Sequence, residues 1–200
     1  MKLNIIKRVA VLLLSNIFLN QPAQGQTGNL YKNASKPIEQ RIADLLSKMT
    51  LEEKTGQMNQ LNFSPNNADL KQKIKQGQAG SILNVVGAND VNTLQRIALE
   101  ESRLGIPLII GRDVIHGFKT IFPIPLGQAA SFEPEIAESG ARIAATEARE
   151  SGVNWTFAPM LDISRDARWG RIAESLGEDP YLAASLGAAM VKGFQGDALS

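Results

Sequence analysis

Residues 79–111 read AGSILNVVGANDVNTLQRIALEESRLGIPLIIG. Two apolar runs, Ala79–Val86 and Ile106–Gly111, flank a segment from Asp90 to Leu104 whose apolar residues recur at helical spacing. Strands that are buried on both faces read as continuous apolar runs, which is typical of parallel sheets covered by helices. The pattern therefore predicts a strand–helix–strand unit with parallel strands.

The same alternation continues toward the C-terminus. Helices are predicted over Pro134–Glu150 and Pro180–Phe194, with a third strand over Asn154–Ala158 between them. The loops that follow the second and third strands are long, covering residues 112–133 and 159–179, and loops after strands build the active sites of β/α barrels. A complete barrel has eight units and about 250 residues. We therefore predict an α/β fold in the form of an incomplete (β/α)8 TIM-type barrel, with its first three or so units.

Helices are expected before the barrel. Pro37 stands in the first turn of a segment whose apolar residues fall on one helical face. Thr50 and Glu53 have the spacing of a capping box, which predicts the start of a second helix that continues to Leu61. A short helix is predicted near Leu70–Gln76, so the barrel is preceded by N-terminal helices. The apolar face of the first helix consists of Ile38, Ile42, Leu45, Leu46 and Met49.

The first 25 residues have the order of a secretory signal peptide. Three basic residues precede the apolar run Val9–Leu14, and small residues follow where a signal peptidase reads the chain. A membrane anchor needs about 20 apolar residues, and this run is shorter and interrupted by polar ones. We expect residues 1–25 to be cleaved, residues 26–36 to form a polar leader and residues 37–200 to belong to the barrel domain. The mature protein would then be secreted or periplasmic, away from the membrane.

Composition narrows the possible chemistry. The sequence has no Cys and one His, which excludes disulfides, thiolate nucleophiles, zinc ribbons and multi-histidine metal sites. Chemistry must come from carboxylates, Arg, Lys or hydroxyl groups, and we expect neither a cofactor nor a metal. Without the first 25 residues, the 21 basic and 20 acidic residues become 18 and 20. Because the remaining residues carry no excess of positive charge that could bind a phosphate backbone, nucleic acid is not expected as a partner.

The first long loop holds three candidate residues. Asp113 immediately follows a predicted strand, where a barrel directs a side chain into the central cleft, although an Asp at a strand end can equally cap a turn. His116 precedes a glycine, and we interpret it as a hydrogen-bonding brace of the loop. Lys119 either contacts a substrate or is simply solvated, which is the usual state of a lysine.

The second long loop concentrates charge. Between Asp162 and Asp179 it contains three Arg, five acidic residues and Trp169. A solvated charge run does not need a tryptophan and two glycines, so we interpret it as a networked loop that lines a cleft. Guanidinium groups fixed by carboxylates present their donors rigidly, which suits sugar hydroxyls. Asp179 stands before Pro180 and is interpreted as the cap of the following helix.

Two blocks of the sequence resemble the N-terminal domain of family 3 glycoside hydrolases. The first is Asp113–Phe132, DVIHGFKTIFPIPLGQAASF, and the second is Phe157–Leu182, FAPMLDISRDARWGRIAESLGEDPYL. The earlier run Arg41–Met58 is similar as well, so the resemblance spans about residues 37–196. The amino-acid sequences of these blocks are most similar to those of secreted or periplasmic bacterial β-glucosidases.

This resemblance implies retaining hydrolysis of terminal β-D-glucosyl residues from β-glucosides or oligosaccharides. Asp113 is similar to the family's carboxylate that binds the 4- and 6-hydroxyls of the sugar beside the scissile bond. Arg171 matches the Arg that holds the same sugar, and Lys119 stands where some members direct a basic residue toward it. The remaining motif residues are implied to be scaffold of the second loop: Arg165, Asp166, Arg168, Trp169 and Glu174.

The resemblance also implies that the catalytic residues lie elsewhere. A retaining glycosidase needs a nucleophile and an acid–base carboxyl about 5 to 5.5 Å apart, and on sequence alone Asp113 and Glu174 are candidates for such a pair. The resemblance assigns both to other roles and places the nucleophilic Asp and the acid–base Glu beyond Ser200. No catalytic residue is therefore expected within these 200 residues, which alone are expected to be inactive.

The sequence leaves four alternatives to a β-glucosidase, which it favours to different degrees. A β-xylosidase of the same family and a noncatalytic sugar-binding relative stay open. A β-N-acetylglucosaminidase is less favoured, because that group usually lacks the Asp-Val-Ile-His-Gly form found here at residues 113–117. A phosphate-binding barrel is disfavoured, because no Gly-rich phosphate loop stands at a predicted helix start.

Overall fold

The computed structural model of the protein describes residues 28–65 and 67–196. The predicted signal peptide lies outside these ranges. The chain divides into two compact units, one up to Met49 and one from Thr50 onward, and each is described by itself. Across the described ranges, no helix has both the length and the apolar character that crossing a membrane requires.

The first unit contains the 3-10 turn Leu30–Lys32 and helix α1, Ile38–Lys48. The helix begins directly after Pro37, which is its N-cap and stands one residue before the first turn in which the sequence placed it. Asp44 joins the two elements, because its carboxylate accepts the backbone N–H of Tyr31 at 3.0 Å and also forms an ion pair with a lysine one helical turn later.

The second unit begins with helix α2, Leu51–Gln57, which starts in the predicted capping box. The Thr50 hydroxyl accepts the backbone N–H of Glu53 at 3.2 Å, and the Glu53 carboxylate accepts the backbone N–H of Thr50 at 2.9 Å. These two bonds satisfy donors that a helix start leaves without intrahelical partners. Helix α3, Ala68–Lys75, connects the first two strands of the sheet and corresponds to the predicted short helix, beginning two residues earlier and ending one residue earlier.

The sheet has four parallel strands that lie side by side in chain order. In a doubly wound sheet the order reverses at a switch point, whereas in a β/α barrel each strand pairs with the next. The observed order is therefore that of successive barrel units, as predicted. The strands are β1 (Gln60–Asn62), β2 (Ser81–Leu83), β3 (Ile109–Arg112) and β4 (Trp155–Thr156).

Strand β1 was not predicted, and the expectation that the second helix continues to Leu61 was wrong, because α2 ends at Gln57 and Leu61 lies in β1. The sheet therefore begins one strand earlier than the sequence indicated. Its sequence is Gln-Leu-Asn, in which a single apolar residue stands between two polar ones, so it shows no apolar run. Pairing with β2 makes it a strand, with Leu61 aligned to Ile82. A three-residue strand is defined by its partner and not by its own composition.

Helices follow each strand and return the chain to the next one. The predicted helix over Asp90–Leu104 starts two residues earlier than expected and ends in a π-helical turn, Ile97–Glu101. Asp179 caps the last helix as predicted, since its Oδ1 accepts the backbone N–H of Leu182 at 2.7 Å. A short helix inside the first long loop was not predicted. The helices are α4 (Ala88–Arg96), α5 (Pro125–Ala129), α6 (Pro134–Glu150) and α7 (Pro180–Gln195).

The two faces of the sheet differ in burial. Ile82 and Ile110 point to the helix-covered face, and each is 0% exposed. Ile109 and Trp155 belong to the opposite face and are 48% and 43% exposed. One face therefore forms the core of the described unit, and the other carries exposed apolar side chains.

Candidate sugar-binding site

The loop after β3 presents Asp113 at the carboxyl edge of the sheet. Asp113 follows Arg112, the last residue of β3, and is exposed, whereas the adjacent Val114 is 1% exposed within the core. Because successive residues of a strand point to opposite faces, Asp113 continues the open face of Gly111. The buried Val114 fixes the backbone from which the Asp113 carboxylate reaches solvent.

The next part of the loop, from His116 to Phe122, closes on itself. The backbone N–H of Phe122 donates to the His116 carbonyl at 2.8 Å, and Nδ1 of His116 lies 2.9 Å from the Phe122 carbonyl oxygen. Since a carbonyl oxygen only accepts, this contact requires a proton on Nδ1. His116 therefore braces the loop, which confirms the interpretation from the sequence.

Gly117 makes this closure possible. Its φ is +122°, in the region that favours glycine, and it forms a β-bridge with Ile121. A Cβ at this position would lie 2.0 Å from the Thr120 carbonyl oxygen. Any side chain here would displace the backbone of the loop.

Lys119 lies at the tip of the closed segment, and Glu147 of helix α6 holds this tip. The backbone N–H groups of Lys119 and Thr120 donate to Oε2 of Glu147 at 2.7 and 2.9 Å, and the Thr120 hydroxyl donates to Oε1 at 2.7 Å. The bond from this hydroxyl is the main cause that lowers the pKa of Glu147. The positive charge of Lys119 is a further, smaller cause that lowers the pKa of Glu147. Among the described residues, no hydrogen bond or ion pair joins Lys119 to Asp113.

In the second long loop, the 3-10 turn Ile172–Glu174 brings Glu174 beside Arg171. Nε of Arg171 donates to Oε1 of Glu174 at 3.2 Å, and Nη2 donates to Oε2 at 2.7 Å. The Arg171 side chain is nevertheless 60% exposed. Glu174 therefore orients the guanidinium and leaves much of its surface open to a ligand.

Electrostatics connects Arg171 with the first loop. The pKa of Arg171 is raised first by the hydrogen bond and charge of Glu174, and further by the negative charges of Asp162 and Asp113. The pKa of Glu174 is lowered by the same Arg171 partner. The loops after β3 and β4 thus bring Asp113 and Arg171 within electrostatic reach of each other.

Asp162 and Glu147 are the two residues at the site that the sequence analysis did not single out. Asp162 stands among the acidic residues of the second loop, and the sequence distinguishes it from them by no local pattern. Glu147 lies on a helix 27 residues after Thr120, and no local pattern indicates their bond.

Bonds within the second loop support the prediction of a networked loop. Asp166 accepts Nε of Arg168 at 2.9 Å and also its backbone N–H at 2.9 Å. The hydroxyl groups of Ser164 and Ser175 bond to each other, and both residues are buried. These contacts give the loop a fixed shape although its charged side chains are exposed.

An aromatic surface lies on the open face of the sheet near Asp113. The Trp155 and Phe157 rings have centroids 4.6 Å apart and planes inclined by 48°. A Cβ on Gly111 would lie 3.2 Å from both the Phe157 ring and Nε2 of Gln60. The absence of a side chain at Gly111 therefore lets the Phe157 ring lie against β3, two residues before Asp113.

The arrangement combines an exposed carboxylate acceptor with an oriented guanidinium donor. Such a pair can bind neighbouring hydroxyl groups of a polyol through charge-assisted hydrogen bonds. In the part of the chain that the structure describes, no group of three or more His, Asp or Glu side chains is placed to hold a metal ion. The fold and these side chains together define a β/α-barrel-type domain whose sheet has exposed charged groups at its carboxyl edge.

Comparison with known proteins identifies the family of this domain. Residues 50–200 match the glycosyl hydrolase family 3 N terminal domain. The periplasmic beta-glucosidase of Salmonella typhimurium is 44% identical over 181 residues, which cover 88% of this chain and 23% of that protein. A putative beta-xylosidase of Formosa agariphila is 36% identical over 189 residues, covering 84% of this chain and 25% of that protein.

Solved structures agree with the sequence match. The beta-glucosidase of Listeria innocua in complex with glucose superimposes with a TM-score of 0.72 at 45% identity, over 80% of this chain and 24% of that one. The chain thus spans about a quarter of the length of these relatives. It belongs to glycosyl hydrolase family 3, within the N-terminal domain of that family.

Proposed function

We propose that the natural protein carrying this sequence is a β-glucosidase that hydrolyses terminal β-D-glucosyl residues with retention of configuration. In this proposal, Asp113 and Arg171 bind the sugar next to the scissile bond, and Lys119 contributes a further contact. The nucleophile and the acid–base carboxyl are supplied from beyond Ser200. The 200 residues alone do not turn over substrate, because they carry only part of the sugar site.

The observation that carries the proposal is that Asp113 and Arg171 stand on the loops that follow the neighbouring strands β3 and β4 of a family 3 domain. The two residues are 58 positions apart in the sequence, and the negative charge of Asp113 contributes to the raised pKa of Arg171, after the larger contributions of Glu174 and Asp162. The β-glucosidase of Listeria innocua, which shares this fold, has been solved with glucose and, as a D270A mutant, with laminaribiose. A β-linked glucoside is therefore the substrate class that best fits this site.

The test is kinetic and uses Asp113→Asn in the natural full-length protein. Loss of a charged hydrogen bond to the sugar should reduce kcat/KM for an aryl β-glucoside about 10- to 100-fold. Asp90→Asn, an exposed change on helix α4, serves as the matched control and should leave kcat/KM unaltered. Unchanged kinetics in Asp113→Asn would refute the sugar-binding role of Asp113. A wild-type protein that does not hydrolyse the aryl β-glucoside would refute the proposed β-glucosidase activity.

A β-xylosidase is the second candidate, because relatives of this chain include proteins named β-xylosidases. Xylose lacks the hydroxymethyl group of glucose, so a residue that binds the 6-hydroxyl contributes to glucoside hydrolysis and not to xyloside hydrolysis. If Asp113 has this role, Asp113→Asn should reduce glucoside turnover more than xyloside turnover. A wild-type protein that prefers the aryl β-xyloside would favour the second candidate.

We also propose that the protein acts in the periplasm or outside the cell after cleavage of residues 1–25. The relative from Salmonella typhimurium is named a periplasmic enzyme, and this supports the location. N-terminal sequencing of the mature protein tests the cleavage, with the first residue expected at Gln26.

The retention of configuration is tested by following the anomer first released from a β-glucoside by NMR.

A further inference from the structure

We propose that the side-chain amide of Asn84 is a further sugar-binding group, which bonds a hydroxyl of the same terminal glucosyl residue as Asp113, and that Asn62 is the positioning residue that orients this amide. The inference rests on the proposed function. It extends the sugar site from the loops after β3 and β4 to the carboxyl ends of β1 and β2.

The first observation is the place of the two asparagines in the sheet. Asn62 is the last residue of β1, and Asn84 directly follows Leu83, the last residue of β2. The backbone N–H of Asn84 donates to the carbonyl oxygen of Gly111 in β3 at 3.0 Å, two residues before Asp113. The carboxyl ends of three neighbouring strands therefore carry Asn62, Asn84 and Asp113 in that order.

The second observation is the face of the sheet to which these groups belong. The strand register aligns Asn62 with Leu83 and Leu83 with Gly111, and aligned residues of neighbouring strands share a face. Asn62 therefore belongs to the open face of Gly111 and Asp113. Because neighbouring strands lie about 4.8 Å apart, one pyranose ring can reach side chains at adjacent strand ends.

The third observation is the bond between the two side chains. Nδ2 of Asn84 donates to Oδ1 of Asn62 at 3.0 Å, and both residues are exposed. Among the described residues, no group donates a hydrogen bond to Oδ1 of Asn84. The oriented amide thus keeps one N–H donor and its acceptor oxygen for a ligand. A sugar hydroxyl, which both donates and accepts, matches this pair of groups.

The fourth observation is the backbone of Asn84. Its φ of +68° lies in the left-handed region, which asparagine tolerates better than other side chains and glycine adopts without steric cost. Backbone conformations of this kind in residues other than glycine cluster at ligand-binding sites. The turn itself does not require an amide, so a glycine at this position separates the turn from the proposed bond.

The first test compares Asn84→Gly with wild type in the natural full-length protein. Glycine retains the left-handed backbone and removes the amide, so the melting temperature should stay near the wild-type value. The value of kcat/KM for an aryl β-glucoside should fall about 3- to 10-fold, the range expected for one or two lost neutral hydrogen bonds. Asn89→Ala, at an exposed asparagine of helix α4, is the control and should leave kcat/KM unaltered.

The positioning role is tested at Asn62. Asn62→Ala removes the acceptor that orients Asn84 and should lower kcat/KM about two- to fivefold. Asn62→Asp retains an acceptor oxygen and should restore kcat/KM to within about twofold of wild type. Because Asn62 acts through Asn84, Asn62→Ala should have no further effect in the Asn84→Gly background.

Substrates that lack single hydroxyl groups test the bond itself. The effect of Asn84→Gly on kcat/KM should disappear for one of the monodeoxy analogues of the aryl β-glucoside, because that analogue lacks the hydroxyl that the amide bonds. The other analogues should show the same fall as the parent glucoside.

Four results would overturn the inference. Unaltered kcat/KM in Asn84→Gly would assign Asn84 to the turn alone. An equal fall with every monodeoxy analogue would show that the amide bonds no hydroxyl of the terminal sugar. Multiplying effects of Asn62→Ala and Asn84→Gly would show that Asn62 does not act through Asn84. These three results leave the proposed function intact, whereas a wild-type protein that does not turn over β-glucosides would reject the proposed function and the inference together.

Discussion

The two faces of the four-stranded sheet are built from neighbouring residues but differ in burial. Ile110 is 0% exposed beneath the helices, and Ile109, the residue before it on the same strand, is 48% exposed. Both faces carry apolar side chains, because β3 is part of a continuous apolar run. Composition therefore does not distinguish the two faces, and among the described residues the helices cover only one of them.

The open face is also the one that leads to the proposed site. Gly111 and Asp113 continue it toward the carboxyl edge of β3, and the Trp155 and Phe157 rings lie beside them. The covered face leads instead to Val114, which anchors the loop in the core. Alternation along a single strand thus separates the residues that hold the fold from those that are available to a ligand.

The largest expected effect compares the two faces directly. Ile110→Ala should lower the free energy of unfolding by about 2–5 kcal/mol, because it opens a cavity in the core. Ile109→Ala should lower it by less than about 1 kcal/mol, since its side chain is already half exposed. Urea unfolding of the 200-residue chain provides the measurement. Equal losses would contradict the difference between the faces.

A smaller effect is expected at Glu53, whose carboxylate accepts hydrogen bonds from Arg103, including one from Nε at 2.9 Å. In the sequence, Glu53 lies far from Ile109 and Trp155 of the open face. Glu53→Gln should cost about 1–2 kcal/mol of unfolding free energy at neutral pH, because a nearly buried charged bond is lost. KM for the proposed substrate should not change. A rise in KM would show that stability and sugar binding are not separated between the two faces.

The contribution of Glu53 to the free energy of unfolding should depend on pH, and the direction of this dependence follows from its pKa. The hydrogen bond from Arg103 is the main cause that lowers the pKa of Glu53 from its ordinary value of 4.5. A carboxyl whose pKa is lower in the folded state stabilises the fold above its unfolded pKa and loses this contribution as pH falls through the folded pKa. The difference between wild type and Glu53→Gln should therefore shrink below pH 4.5. Urea unfolding at neutral and acidic pH checks this.

The smallest expected effect is at the edge of the open face. Glu174→Gln should raise KM about two- to fivefold, because Arg171 keeps its charge and loses part of its orientation. The free energy of unfolding should stay near the wild-type value, since the Arg171–Glu174 pair is exposed. Steady-state kinetics combined with thermal unfolding measures both quantities. A loss of stability without a change in KM would assign Glu174 to the scaffold alone.

Local sequence patterns predicted much of the fold and several contacts of the site. The Thr50–Glu53 capping box, the Asp179 cap and the His116 brace each depend on residues within a few positions of one another, and the structure contains all three. The resemblance to family 3 glycoside hydrolases also implied that Asp113 and Arg171 hold the same sugar. Their electrostatic coupling agrees with this prediction, and their role toward a sugar stays a prediction.

The sequence by itself determined the alternation of strands and helices and the charged loops that follow two of the strands, because these depend on periodicity and on neighbours in the chain. Only the tertiary structure decided that Gln60–Asn62 forms a strand, that Glu147 holds the tip carrying Lys119, and which face of the sheet is covered. Each of these depends on partners that lie far apart along the chain. Their pairing is set by the packing of helices on the sheet, and the local pattern of apolar and polar residues does not predict it.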